Sequence, residues 1–322
     1  MLGTGRRRAF RVALAAVVSV AALLMVGASL QQVQAVDRGQ AGATAIPTAQ
    51  PVADTPAPPE PTPAPTPAPR ALPSLDALGA QIASLAQAQS ATVSVSLIEL
   101  AGTQPRSWSA AGDSSMVAAS TYKLPLLMAE AQGIAAGTIH STDVLCYIDA
   151  DWEDGWFSDY VDGLCFSRAE LDKRAGTYSD NTAAHILVRY MGGTDKLNQY
   201  ARAHGATESQ FYDPNQTTAN DLARLLANEQ AGAAGGAGAQ QYLYPLLTHT
   251  QYESGVPAGV PATTTVVHKI GDLDQSVNDA AIVLNGPQGA YVLVVMVDMA
   301  EGDGWSLISQ ISNLVWQLEA AR

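Results

Sequence analysis

Residues 119–131, ASTYKLPLLMAEA, combine two reactive side chains with the start of a strongly apolar segment. The apolar run from Leu124 onward predicts a buried helix. Ser120 and Lys123 are three positions apart, so both side chains project from one face of its first turn. The serine hydroxyl lies at the positive end of that helix, where a developing alkoxide is favoured. A desolvated lysine one turn further on can lose its proton near neutral pH and act as a base.

Alone, this spacing also fits a serine that caps a helix beside a solvated lysine. A second motif, Ser179-Asp180-Asn181, leads into another predicted helix, and helix capping explains it equally well. The functional interpretation makes Ser179 a proton shuttle. Asn181 then becomes an amide ligand for a substrate and for Lys123.

A third motif, His268-Lys269-Ile270-Gly271, ends a predicted strand. Lys269 would attract a substrate carboxylate, and Gly271 would let a substrate backbone approach the strand edge closely. The alternative is an exposed lysine that guards a sheet edge against aggregation.

The order of predicted elements around these motifs indicates the fold class. Helical spacing occurs at 74–89 and 305–318, and a long helical region spans about 119–229. Alternating segments predict strands at 91–100, 106–110, 263–269, 277–284 and 291–298. Residues 231–239, almost pure alanine and glycine, predict a flexible surface loop. This order predicts an α/β (α+β) fold, in which terminal helices flank one antiparallel sheet and an all-α domain is inserted, with a cleft between them.

Together and in this order, the three motifs resemble those of class A β-lactamases and penicillin-binding proteins. The resemblance covers roughly residues 91–320. It implies acyl transfer, with Ser120 as nucleophile, Lys123 as base and Ser179 returning a proton to the leaving nitrogen. The oxyanion would lie between the backbone N–H groups of Ser120 and Asp272, while Asn181, Lys269 and Gly271 would bind the substrate. A β-lactam or a D-Ala-D-Ala peptide is the implied substrate, and no cofactor or metal is expected.

The sequence departs from the class A pattern in ways that affect turnover. Between Asn181 and Thr218 it contains no Glu-x-x-Leu-Asn motif, and Glu208 and Asp213 are the only acids at 206–216. Ile270 replaces a hydroxyl residue, and Asp272 adds a charge that could repel a substrate carboxylate. We therefore expect intact acylation and slow hydrolysis. A cell-wall D-Ala-D-Ala peptidase and a non-hydrolytic module that senses β-lactams or wall fragments remain alternatives.

The first 73 residues have the composition of a targeting segment and a linker. Arginines precede an uncharged apolar run at 12–30, so residues 1–35 are a predicted signal or membrane anchor. Residues 36–73 form a predicted linker, since eleven of the 27 residues at 47–73 are proline. We expect residues 74–322 to be an extracytoplasmic domain, either anchored to the membrane or secreted.

The composition of residues 74–322 limits the partners of this domain. Its 11 basic and 27 acidic side chains give a net charge of −16, which argues against binding nucleic acid. We expect a monomer. Cys146 and Cys165 are the only cysteines, and export to an oxidising compartment predicts a disulfide between them. The acidic stretch between them does not fit a calcium-binding EF-hand.

Overall fold

One antiparallel sheet joins segments from both ends of residues 74–322, the part of the chain that the computed structural model describes. The strands are β1 (Thr92–Glu99), β2 (Ser107–Ala110), β3 (Met116–Val117), β4 (Val144–Cys146), β5 (Cys165–Ser167), β6 (Gln216–Thr217), β7 (Val266–Leu273), β8 (Ser276–Val283) and β9 (Tyr291–Asp298). The main sheet has the order β2-β1-β9-β8-β7, so the N-terminal hairpin pairs with the C-terminal strands through β9. The predicted anchor at 1–35 and linker at 36–73 lie outside the described residues.

Helices cover both faces of this sheet. They are α1 (Leu75–Ala88), α2 (Lys123–Ala135), α3 (Arg168–Thr177), α4 (Asn181–Met191), α5 (Thr194–Ala203), α6 (Ala219–Gln230), α7 (Gly236–Leu243) and α8 (Gly304–Ala320). The terminal helices α1 and α8 share one core with the sheet, and helices α2 to α7 form the inserted unit on the other side. The predicted fold class is confirmed.

Strand β9 separates the two cores. Its odd-numbered residues from Tyr291 to Val297 pack with α1 and α8, while Val292, Val294 and Met296 face the helical unit. A strand buried on both faces needs apolar residues at every position, which explains the almost continuous apolar sequence YVLVVMVD.

Helix α7 contradicts the predicted loop at 231–239. Residues 236–243 are helical, and Ala234 and Ala239 are buried. A Cβ on Gly238 would lie only 3.3 Å from the Ala135 Cβ atom of α2. The small residues therefore allow two helices to pack closely, and do not indicate a flexible segment.

The predicted disulfide is confirmed, since Cys146 and Cys165 are bonded across the paired strands β4 and β5. The bond closes residues 147–164, which we call the disulfide-closed loop. Two of its acids are held by arginines of the helical unit, Asp151 by Arg189 and Asp159 by Arg174. A disulfide and these ion pairs therefore hold the loop to the helical unit.

Within residues 74–322, no helix is both long and apolar enough to cross a membrane.

Replacing both cysteines, Cys146→Ser and Cys165→Ser, is expected to lower the free energy of unfolding by about 3 kcal/mol. A bond that closes a loop near this size restricts the unfolded chain by roughly that amount. Urea unfolding of the oxidised protein, the reduced protein and the double variant measures the effect. The reduced protein should match the variant. Equal stability of all three proteins would show that the disulfide adds nothing.

Candidate active site

Ser120 lies in a short 3-10 turn, Ala119–Tyr122, that continues directly into α2. Its neighbour Ala119 has a positive φ of 48°, a conformation that a residue with a Cβ adopts only when its surroundings hold it there. The turn and the first residue of α2 bring the predicted pair together: the Lys123 Nζ atom is 2.9 Å from the Ser120 Oγ atom.

Oxygen atoms of the second motif complete the surroundings of the lysine. The Lys123 Nζ atom donates to the Ser179 carbonyl oxygen at 2.6 Å and to the Asn181 Oδ1 atom at 2.6 Å, and the Ser179 Oγ atom lies at 3.4 Å. Lys123 is fully buried. Burial lowers its pKa to about 7, although the negative charges of Asp180 and Glu153 oppose this shift. The Lys123 amine is therefore neutral in a substantial fraction of the molecules near neutral pH.

The second motif is held in place by the buried carboxylate of Asp180. It caps α4 by accepting from the Ala183 N–H at 2.9 Å, as the helix-capping interpretation predicts. It also accepts from the Tyr160 hydroxyl at 2.6 Å and from the Trp156 N–H at 3.1 Å. Asp180 thus fastens the disulfide-closed loop to the residues that contact Lys123.

Lys269 reaches the same group of atoms from the edge strand β7. Its Nζ atom donates to the Ser179 Oγ atom at 2.8 Å and to the Ile270 carbonyl oxygen at 2.9 Å. Burial and the nearby positive charge of Lys123 lower the pKa of Lys269 well below its ordinary value. The Ser179 hydroxyl therefore lies between two buried lysines, where it can pass a proton.

Gly271 packs against the segment that precedes Ser120. A Cβ at this position would lie 2.6 Å from the Ala118 carbonyl oxygen and 3.1 Å from the Ala119 Cβ atom. The space that we expected a substrate backbone to use is occupied by the protein's own backbone on that side. Gly271 therefore has a packing role, and contact between it and a substrate remains a prediction.

Two asparagines that the sequence reasoning missed hold the same segment. The Asn278 Nδ2 atom of β8 donates to the Val117 carbonyl oxygen at 2.9 Å. The Asn215 Nδ2 atom donates to the Ala119 carbonyl oxygen at 2.9 Å, and its own carbonyl oxygen accepts from the Ala118 N–H. These bonds fix the strained backbone beside Ser120. Neither asparagine belongs to a motif, so no signal in the sequence could have identified it.

The remaining acids singled out from the sequence are at the surface. Asp272 follows Gly271 as an exposed residue of β7, and the part of its backbone in oxyanion binding stays a prediction. Glu208 and Asp213 are also exposed, and neither carboxylate is among the hydrogen-bond partners of Lys123 or Asn181. The acid that does contact Asn181 is Glu153 of the disulfide-closed loop, which the sequence reasoning also missed.

Gly271→Ala is expected to lower the free energy of unfolding by about 1–3 kcal/mol, because the added methyl group overpacks the contact with Ala118. Urea unfolding measures the change. Gly238→Ala is the matched comparison and should lower stability less, because its methyl group would meet a Cβ atom at 3.3 Å rather than a carbonyl oxygen at 2.6 Å, and alanine favours a helix over glycine. Equal effects of the two substitutions would contradict the packing role of Gly271.

Comparison with known proteins agrees with this geometry. The model of the beta-lactamase enzyme family matches residues 77–318. Beta-lactamase CTX-M-8 of Citrobacter amalonaticus is 33% identical over 143 residues, which are 40% of this chain and 48% of that protein. The chain therefore spans about half the length of this relative.

Solved structures match over more of the fold. A point mutant of PBP-A, captured as an acyl-enzyme complex with penicillin G, has a TM-score of 0.71 and 26% identity, covering 76% of this chain and 96% of that chain. A beta-lactamase from Sphaerobacter thermophilus has a TM-score of 0.68 at 23% identity and covers 76% of this chain and 97% of that chain; it supports the fold. The family match spans most of residues 74–322 and includes all three motifs, and the chain belongs to the beta-lactamase enzyme family.

Proposed function

We propose that residues 74–322 form a serine hydrolase of the class A β-lactamase type, which β-lactams acylate at Ser120. The observation that carries the proposal is the 2.9 Å contact between the Ser120 hydroxyl and the buried Lys123 amine, whose pKa is lowered to about 7. A neutral amine at this distance can accept the serine proton as Oγ attacks a carbonyl carbon.

Three residues around this pair complete the proposed acylation step. Lys123 takes the proton from Ser120, and Ser179 gives a proton to the lactam nitrogen when the ring opens. Lys123 then returns its proton to the Ser179 Oγ atom, which lies 3.4 Å away. Lys269 donates to the Ser179 Oγ atom at 2.8 Å, so it can orient this hydroxyl while its own amine attracts the substrate carboxylate. Asn181 holds Lys123 through its Oδ1 atom. Its Nδ2 atom donates to Glu153 and to the Asp154 carbonyl oxygen, and would donate to the acyl group in place of the Asp154 contact. Backbone N–H groups of Ser120 and Asp272 would bind the oxyanion.

A cell-wall D-Ala-D-Ala peptidase is the second candidate. Glu208 and Asp213, the only acids at 206–216, are exposed and do not contact Lys123 or Asn181, so neither is placed to release a β-lactam acyl group. Slow release of that group suits a protein whose true substrate is a peptide. The rates of turnover of a chromogenic cephalosporin and of a D-Ala-D-Ala peptide discriminate the two. Turnover of the cephalosporin that is much slower than turnover of the peptide would favour the peptidase.

We also propose that the domain acts outside the cytoplasm, secreted or held by a membrane anchor in residues 1–35. The arginines before the apolar run at 12–30 and the Cys146–Cys165 disulfide support this location. The proline-rich residues 47–73 would then space the domain from the membrane.

Ser120→Ala is expected to abolish covalent labelling by a fluorescent penicillin, because the variant has no oxygen that can form the ester. Denaturing gel electrophoresis and intact mass measure the adduct. Ser114→Ala, which removes a nearby exposed hydroxyl, is the matched control and should label like the wild type. Undiminished labelling of Ser120→Ala would remove this residue from the mechanism.

A further inference from the structure

Glu153 is held at the active site by two side chains of one helix. Its Oε1 atom accepts from the Asn181 Nδ2 atom at 3.0 Å, and its Oε2 atom lies 2.9 Å from the His185 Nε2 atom. Asn181 and His185 are four residues apart on α4, so they present one face to the carboxylate. The glutamate side chain is 50% exposed, which leaves the carboxylate open to water on its remaining side.

His185 holds this carboxylate from a fixed position. Its Nδ1 atom lies 3.1 Å from the Asp151 carbonyl oxygen, and the Tyr212 ring packs against it with centroids 5.2 Å apart. Both ring nitrogens therefore face oxygen atoms, an arrangement that a ring protonated on both nitrogens satisfies. Burial lowers the pKa of His185, and the negative charge of Glu153 opposes that shift. The contacts of His185 and Asn181 therefore fix the direction in which the Glu153 carboxylate points.

The same asparagine amide connects Glu153 to the nucleophile. While its Nδ2 atom donates to Glu153, its Oδ1 atom lies 2.6 Å from the Lys123 Nζ atom, which in turn contacts the Ser120 hydroxyl. The negative charge of Glu153 also raises the pKa of Lys123, as expected for neighbouring groups of opposite charge. A water molecule bound between Glu153 and the Ser120 ester would have a carboxylate on one side and an acyl carbon on the other.

We propose that Glu153 is the general base that activates water to hydrolyse the Ser120 acyl ester, and that His185 is the positioning residue that orients it. This inference rests on the proposed acylation of Ser120. It assigns the release step to the disulfide-closed loop, not to Glu208 or Asp213.

Hydrolysis of the ester moves protons through Glu153 and Lys123. Water attacks the acyl carbon, its oxygen forms the new C–O bond, and one of its protons passes to Glu153. The bond from the acyl carbon to the Ser120 Oγ atom then breaks, and Oγ takes a proton from Lys123, which solvent has protonated after the acylation step. The acyl group leaves as a carboxylic acid. Glu153 loses its proton to solvent and Lys123 is neutral for the next acylation.

Glu153→Gln tests the assignment, because glutamine keeps an oxygen for the Asn181 amide but cannot accept a proton from water. Intact mass follows the penicillin G adduct after excess reagent is removed. The variant is expected to form the adduct at a rate within about threefold of the wild type. Its release should be at least about 100-fold slower, since a placed general base contributes 10²–10⁴ in rate.

Asp162→Asn is the matched control, since it removes an exposed carboxylate of the same loop. It should release the adduct at the wild-type rate. Hydroxylamine, which attacks esters without a general base, should release the adducts of the wild type and Glu153→Gln equally fast. That result would show that the ester in the variant is accessible and that the site around it is intact.

Four results would count against the assignment. Release from Glu153→Gln within about threefold of the wild type would overturn it. Equal losses in adduct formation and in release, or an adduct that resists hydroxylamine, would make Glu153 a structural support for Asn181 and would also overturn it. A wild-type protein that forms no adduct would instead overturn the proposed function itself, and the inference with it.

Discussion

The burial of Lys123 is the constraint on which the rest of the site depends. The three oxygen atoms closest to its amine are those of the Ser120 hydroxyl, the Ser179 carbonyl and the Asn181 amide, and none of them belongs to a carboxylate. A full positive charge is costly in such a place, so the neutral amine becomes accessible near neutral pH. The three contacts come from two separate parts of the chain, and the fold has to bring them together.

The neighbouring elements bring the contacts of Lys123 together in different ways. The edge strand β7 approaches the segment before Ser120 closely because Gly271 has no side chain, and Asn215 and Asn278 hold carbonyl oxygens of residues 117–119. Asp180 links the second motif to the disulfide-closed loop. The loop in turn delivers Glu153 to Asn181. The disulfide that closes the loop and the carboxylate that contacts Asn181 are therefore parts of one connected arrangement.

Much of the fold and the core of the site could be predicted from the sequence, because both depend on local patterns. Alternation and helical spacing located the sheet and the terminal helices, and the motif residues Ser120, Lys123, Ser179, Asn181 and Lys269 meet around one point. Helix α7 was missed because alanine and glycine carry no periodic apolar signal, although their small size is what allows the close contact with α2. Glu153 was missed because its contact with Asn181 depends on how an irregular loop folds.

The most direct test of this account is an NMR titration of the lysine side chains in protein labelled with ¹³C and ¹⁵N at lysine. Only four lysines, at positions 123, 173, 196 and 269, lie in residues 74–322, so their side-chain signals can be assigned by single substitutions. The account predicts that the Lys123 signal titrates with a pKa of about 7. A Lys123 signal that titrates near the ordinary lysine value of about 10.4 would mean that the amine is charged at neutral pH, and would contradict its proposed role as the base.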